Sequence, residues 1–245
     1  MKTAIVSGAS RGIGRAVALR FARDRVRVVL CSRNPAALEA VQGEIVGLGG
    51  NASVFPADLR LADAPWRLVE FAMEQFGQID IVVNNAGATK RGDFLELTDE
   101  DWADGYALKM FGAVRLTRSA WPHLKASGGS LVNIAGIGGR TPGAEFTIGG
   151  SVNAALLSFT KAMAEVGLRD GVQVNLVNPG TIRTERFTKR VTSLAAEQQF
   201  LAAQRVTKIG EPEDVANLVA YITGPEGRFL HGALIDVDGG ATKTV

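Results

Sequence analysis

Short apolar runs alternate along this chain with stretches in which apolar positions recur at helical spacing. Runs at 3–7, 26–31, 51–55, 79–83, 130–135, 172–177 and 233–237 predict strands. Several are continuously apolar, as strands covered on both faces of a parallel sheet must be. Helical periods fall between them, near 12–23, 35–47, 63–76, 99–125, 149–169 and 212–223. The alternation predicts βαβ units and an α/β fold. Its form is a Rossmann doubly wound sheet of about seven parallel strands with helices on both faces. No linker, repeat or low-complexity tract interrupts it, so residues 1–245 read as a single domain. The segment 185–209 breaks the pattern: it is polar, weakly helical and follows the sixth strand. Sheets of this kind bind ligands at the carboxyl ends of their strands, so this insert is predicted to be a substrate lid.

Composition narrows the function classes. Hydrophobic residues make up 46% of the 245 residues and 29 are glycine, which suits a large core joined by tight turns. A net charge of +2, without a basic run, argues against a nucleic-acid partner. No apolar stretch approaches the ~18 residues of a membrane span, and the first residues lack a signal-peptide pattern. The expected compartment is cytoplasmic, with no membrane partner. The single cysteine, Cys31, follows an apolar run and reads as a buried, inert thiol. His123 and His231 form no ligand pair, and no metal is expected.

The first strand runs into Gly8-Ala9-Ser10-Arg11-Gly12-Ile13-Gly14, and helix follows at once. Glycines there permit a tight turn and close backbone approach to a pyrophosphate, which the new helix's free N–H groups can bind. The second strand ends in Cys31-Ser32-Arg33-Asn34, without the acid that NAD-preferring sites direct at the ribose. Arg33, with Arg11 from the glycine loop, can instead meet a 2′-phosphate through a planar donor fork. This charge logic favours NADP(H) over NAD(H).

With these motifs the chain resembles the short-chain dehydrogenase/reductase family over nearly its whole length. The resemblance rests on Gly8, Gly12 and Gly14, on Asp58-Leu59 after the third strand, and on Asn84-Asn85-Ala86-Gly87. It extends to Asn178-Pro179-Gly180-Thr181-Ile182-Arg183-Thr184, to 210–216 and to Val237-Asp238-Gly239-Gly240. It implies that Asp58 and Leu59 meet the adenine. Asn85, Ala86 and Gly87 would line the coenzyme. Pro179, Gly180, Ile182 and Thr184 would hold its nicotinamide end.

The chemistry departs from the resemblance. The family's usual set is an Asn, a Ser, and a Tyr and Lys spaced YxxxK. Val132-Asn133-Ile134 and Asn153-Ala154-Ala155-Leu156 anchor the register. Gly136 then falls at the serine position, Gly149 at the tyrosine position and Asn153 at the lysine position. Trp102 and Gly112 place Lys109 at the asparagine position. Asn and Lys therefore read as exchanged, with Asn153 expected on the nicotinamide ribose and Lys109 supplying the positive charge. A desolvated lysine can act as acid or base.

Three readings stay open: an oxidoreductase using Lys109, Thr147, Thr141 or a water as its acid; an enzyme for an activated carbonyl or imine; and a catalytically inactive NADP(H)-binding protein, as a sensor or hetero-oligomer subunit. The consecutive Gly149 and Gly150 open a predicted helix, where each costs up to about 1 kcal/mol. Either something approaches the backbone there, or the pocket is enlarged, or a constraint has relaxed. Lys90, Arg91, Arg140, Arg183, Arg186, Lys189 and Arg190 are expected to converge on the mouth and steer an anionic small-molecule substrate. Apolar positions on the two long helices, including Trp121, Leu156, Phe159 and Met163, suggest a homodimer or homotetramer face.

Overall fold

The computed structural model describes residues 1–189 and 191–243. Seven strands form one wholly parallel sheet in the order β3-β2-β1-β4-β5-β6-β7. They are β1 (Thr3–Ser7), β2 (Arg27–Ser32), β3 (Ala52–Pro56), β4 (Ile81–Asn84), β5 (Ser130–Ile134), β6 (Gln173–Pro179) and β7 (Leu234–Val237). The order reverses between β1 and β4, which opens a crevice at their carboxyl ends.

Helices α1 (Gly12–Arg23), α2 (Pro35–Gly47) and α9 (Pro212–Thr223) cover one face, and α3 (Ala64–Phe76), α5 (Gly112–Ser127) and α6 (Thr147–Asp170) the other. Alternation along β1 shows why a continuous apolar run is needed. Ala4 and Val6 pack with Val17, Phe21 and Val219, whereas Ile5 packs with Leu68, Leu116 and Leu124. No helix of the described residues is long and apolar enough to cross a membrane.

Two elements differ from the sequence pattern. The long helix expected over 99–125 is α4 (Asp99–Tyr106), a π-helical turn (Ala107–Phe111) and then α5. Its start is well determined: Thr98 Oγ1 accepts from the Asp101 N–H and Asp101 Oδ2 accepts from the Thr98 N–H, a capping box. The π turn adds a residue to the helical path and so rotates Lys109 relative to α4. The insert after β6 carries more helix than its weak pattern suggested, α7 (Glu185–Thr188) and α8 (Leu194–Gln204). Its ends are fastened together. The Arg183 N–H donates to Gly210 O at 2.7 Å and the Gly210 N–H to Thr181 O at 3.1 Å.

Of the apolar positions assigned to an oligomer face, Leu156 belongs to the core instead, because α6 turns it onto Leu176 of β6. Trp121, Phe159 and Met163 are partly exposed, and Trp121 Nε1 donates to Asp170 Oδ2 at 2.8 Å.

Beneath the crevice runs a buried polar chain. Asn84 Nδ2 donates to Thr117 Oγ1 (3.0 Å) and to Asn133 Oδ1 (2.8 Å). Asn133 Nδ2 donates to Thr160 Oγ1 (2.8 Å), whose hydroxyl donates to Leu156 O (2.7 Å). The chain ties β4 and β5 to α5 and α6. Asn133→Ala strips partners from Asn84 and Thr160, so unfolding free energy should fall by about 1–3 kcal/mol. A urea titration checks this; an unchanged midpoint would show that the chain contributes nothing.

Candidate functional site

The β1–α1 turn is held by three close approaches. Gly8 and Gly12 have φ of +67° and +53°, where other side chains are strained. A Cβ on Gly14 would lie 2.2 Å from Gly8 O, so α1 leaves the strand with no side chain between them. Asn85 Nδ2, from beyond β4, donates to Ser7 O (3.0 Å) and Gly8 O (3.2 Å). Ser7 Oγ accepts from the N–H groups of Asn85 (2.9 Å) and Ala86 (3.0 Å). The first turn of α1 has no side-chain cap and no acid, so its N–H groups remain available to an anion.

A cleft of about 1280 Å³ extends from this turn in both directions. Gly8, Ser10, Arg11, Gly12 and Ile13 line its middle, whereas Gly14 is buried behind the loop. Toward the β2 end lie Ser32, Arg33, Asp58 and Leu59. Ser32 Oγ is buried without a hydrogen-bond partner, an orphan that a ligand oxygen would satisfy. Arg33 is exposed and makes no hydrogen bond or ion pair among the described residues. Arg11 instead pairs with Glu185 of α7 at 3.0 Å. Asp58 is engaged by Arg60 at 3.0 Å and also lines the cleft. Burial, and then the Asp58 charge, push the Cys31 thiol up to about 12, so it stays protonated. An orphaned hydroxyl, an uncapped helix start and a turn without room for side chains all fit a dinucleotide.

In the other direction Ala86, Gly87, Lys109, Gly136, Asn153, Pro179, Gly180, Ile182 and Thr184 line the cleft. A Cβ on Gly87 would lie 2.8 Å from Lys109 Cδ, so the lysine stem crosses the cleft floor where Gly87 has no side chain. Lys109 Nζ donates to Ala135 O (2.7 Å) and to Asn153 Oδ1 (2.6 Å). The structure therefore brings together the two residues that read as exchanged. Burial, followed by the nearby Arg186 guanidinium, lowers the Lys109 pKa to about 7. Two of the ammonium's three donors are used, which leaves one for a ligand.

Gly136 has φ of +152°, and a Cβ there would lie 3.1 Å from Asn153 Nδ2. Thr147 is not among the cleft residues; its Oγ1 is buried and unpartnered. Six residues separate it from Asn153, about 120° away around a helix, so the two face different directions. Thr141 lines the cleft, and its hydroxyl donates to Ile137 O at 3.2 Å.

The expected basic convergence is only partly present. Lys90 pairs with Asp101 (2.7 Å), Arg140 with Asp236 (3.5 Å), and Arg183 with Glu197 (2.7 Å) and Glu211 (3.0 Å). These three are neutralised by carboxylates from neighbouring elements and do not line the cleft. Arg91, Arg186 and Lys189 do, and Arg186 Nη2 donates to Gly87 O at 3.1 Å. Arg190 lies outside the described residues. Sequence reasoning missed Phe146, and missed Phe187 and Phe200 from 185–209, which also line the cleft. The paired glycines at 149 and 150 were the one available signal for Phe146. Among the described residues, no group of three or more His, Cys, Asp or Glu side chains could hold a metal ion.

Known proteins resemble this chain over most of its length. The family model described as enoyl-(acyl carrier protein) reductase matches residues 8–242. An uncharacterized oxidoreductase of Mycobacterium tuberculosis is 35% identical, with 98% of this chain and 92% of that protein covered. A 3-oxoacyl-[acyl-carrier-protein] reductase of Synechocystis is 32% identical, covering 98% and 96%. The structure of a short-chain dehydrogenase from Burkholderia cenocepacia in complex with NADP superposes with a TM-score of 0.90 at 33% identity, covering 98% of this chain and 97% of that one. L-sorbose reductase from Gluconobacter frateurii, complexed with NADPH and L-sorbose, gives 0.93 at 29% identity, covering 100% and 97%. With the glycine turn, the crevice and these matches in agreement, the chain belongs to the short-chain dehydrogenase/reductase family and is an oxidoreductase of that type.

Proposed function

We propose that the protein is an NADP(H)-dependent oxidoreductase interconverting a small carbonyl compound and its alcohol, with Lys109 as the proton-transferring group. The observation that carries this reading is the Lys109–Asn153 contact of 2.6 Å, with one ammonium donor left to the cleft. The bound coenzyme supplies or accepts the hydride. In reduction, the Lys109 ammonium would donate a proton to the carbonyl oxygen. The neutral amine is then reprotonated from water. Oxidation reverses these steps.

Gly136 and Gly149 stand at the family's serine and tyrosine positions in this reading, so neither can donate from a side chain. Lys109 replaces both functions in part, as acid and as local positive charge. Asn153 keeps its Oδ1 on Lys109 and turns Nδ2 toward a ribose hydroxyl. Thr147 is set aside because it is not among the residues that line the cleft. The relatives' names supply no support for a coenzyme-binding protein without turnover.

NADP(H) is preferred over NAD(H) because Ser32 and Arg33 are unpaired at the β2 end, where a 2′-phosphate would meet them. Arg11 joins them on releasing Glu185. Residues 185–209 act as a lid, tied at its base and carrying Phe187 and Phe200 over the cleft. The substrate is anionic, and the chain assembles as a homodimer or homotetramer through exposed parts of α5 and α6.

Three outcomes are expected. Arg33→Ala should weaken NADPH binding by roughly tenfold or more, one lost charge-assisted contact, and leave NADH binding nearly unchanged. Fluorescence titration of both coenzymes checks this, and equal losses for the two would remove the phosphate assignment. The second concerns pH. Lys109 must be protonated to donate, so kcat/KM for carbonyl reduction should fall as pH rises through about 7. Lys109→Met should abolish that limb and lower turnover by about 10²–10⁴ while NADPH still binds. The same group has a stability signature: between about pH 7 and 10.5 the unfolded chain binds the proton that the folded chain has lost. Stability of the coenzyme-free protein should therefore gain from Lys109 deprotonation as pH rises over that window, a slope missing in Lys109→Met.

A further inference from the structure

The glycines at 138 and 149 form a socket for one aromatic ring. A Cβ on Gly149 would lie 2.0 Å from Cε2 and Cζ of Phe146, and one on Gly138 would lie 3.0 Å from Cδ1 and Cε1. No side chain at 149 can coexist with the ring in this position. Of the alternatives left open for the consecutive glycines, the ring answers for Gly149: something does approach the backbone there, and it comes from the same chain. Arg91 completes the arrangement, with its guanidinium carbon 3.8 Å from the Phe146 ring centroid. The two loops are joined beside this contact, because the Gly92 N–H donates to Glu145 O at 3.2 Å.

A guanidinium lying along an aromatic face keeps its N–H groups at the edge, where they suit a planar oxyanion. The surroundings favour such a partner. Arg91, Lys109, Arg186 and Lys189 line this half of the cleft. The only acids among the described lining residues are Asp58 and Glu185, and each is already paired with an arginine.

We propose that the substrate is an oxo acid whose carboxylate is bound by Arg91, seated on Phe146, while its carbonyl reaches Lys109. This rests on the oxidoreductase reading above and adds to it the substrate class and the residue that selects it. A carboxylate, planar with two coplanar oxygens, matches the guanidinium edge that Arg91 holds beside the Phe146 ring. Phe146 acts as a positioning residue: it touches Arg91 and holds it in place.

The test needs no turnover. Pyruvate, acetoacetate and levulinate place the carboxylate at increasing distance from the carbonyl, and each is compared with its methyl ester. Thermal shifts of the NADP⁺-loaded protein report binding without reaction. At least one acid should stabilise the loaded protein at roughly tenfold lower concentration than its ester, as expected for a charge-assisted contact. Arg91→Gln should remove that preference, and Phe146→Leu should weaken it, while the shift produced by NADP⁺ alone is retained in both. Equal response to acids and esters, or an acid preference that survives Arg91→Gln, overturns the proposal while the coenzyme reading stands. Absence of any NADP⁺-induced shift in the unmodified protein overturns both.

Discussion

The amide of Asn85 on the carbonyl oxygens of Ser7 and Gly8 is the contact on which the site depends. It joins β1 and β4, the two strands between which the sheet order reverses. Parallel strands that diverge in their connections leave a gap above their carboxyl ends, and a gap needs walls of fixed position to bind anything. The amide supplies one such restraint from β4, and the bare Cα of Gly14 supplies another from α1. The N–H groups of the first α1 turn then point into the crevice as a consequence of backbone geometry.

Electrostatics in the rest of the cleft follow from burial. Lys109 enters on a π-helical turn, across a glycine that leaves space for its stem, and finds two oxygens but no carboxylate. Dipoles satisfy an ammonium's geometry without neutralising its charge, so desolvation lowers its affinity for a proton. Arg140 and Arg183 are different. Arg183 is clamped by two glutamates from α8 and the start of α9, and serves to hold the base of residues 185–209. Lys109 and Arg183 thus have separate tasks, one inside the cleft and one structural.

Much of this was legible in the chain itself. Seven strands, the main helices and the glycine turn could be read because each depends on short-range rules: two-residue alternation, helical spacing and steric allowance at glycine. Arg33 was equally readable, since an acid's absence after a strand needs no tertiary knowledge. The π turn was not, because apolar spacing over 99–125 is compatible with an unbroken helix. Nor was the placement of Thr147 outside the cleft lining, for a related reason: proximity in sequence to Gly149 says little about which side of α6 a residue occupies.

Sequence alone determined the fold class, the place of the coenzyme turn and the identities of Lys109 and Asn153, all properties of local pattern or residue type. Tertiary structure alone decided that Lys109 and Asn153 touch, that Phe146 fills the space over Gly149, and that Arg183 belongs to a clamp while Arg91 lies on a ring. Those outcomes depend on distances between segments far apart in the chain. They are set by how helices pack on the sheet and how loops close, which no local spacing encodes.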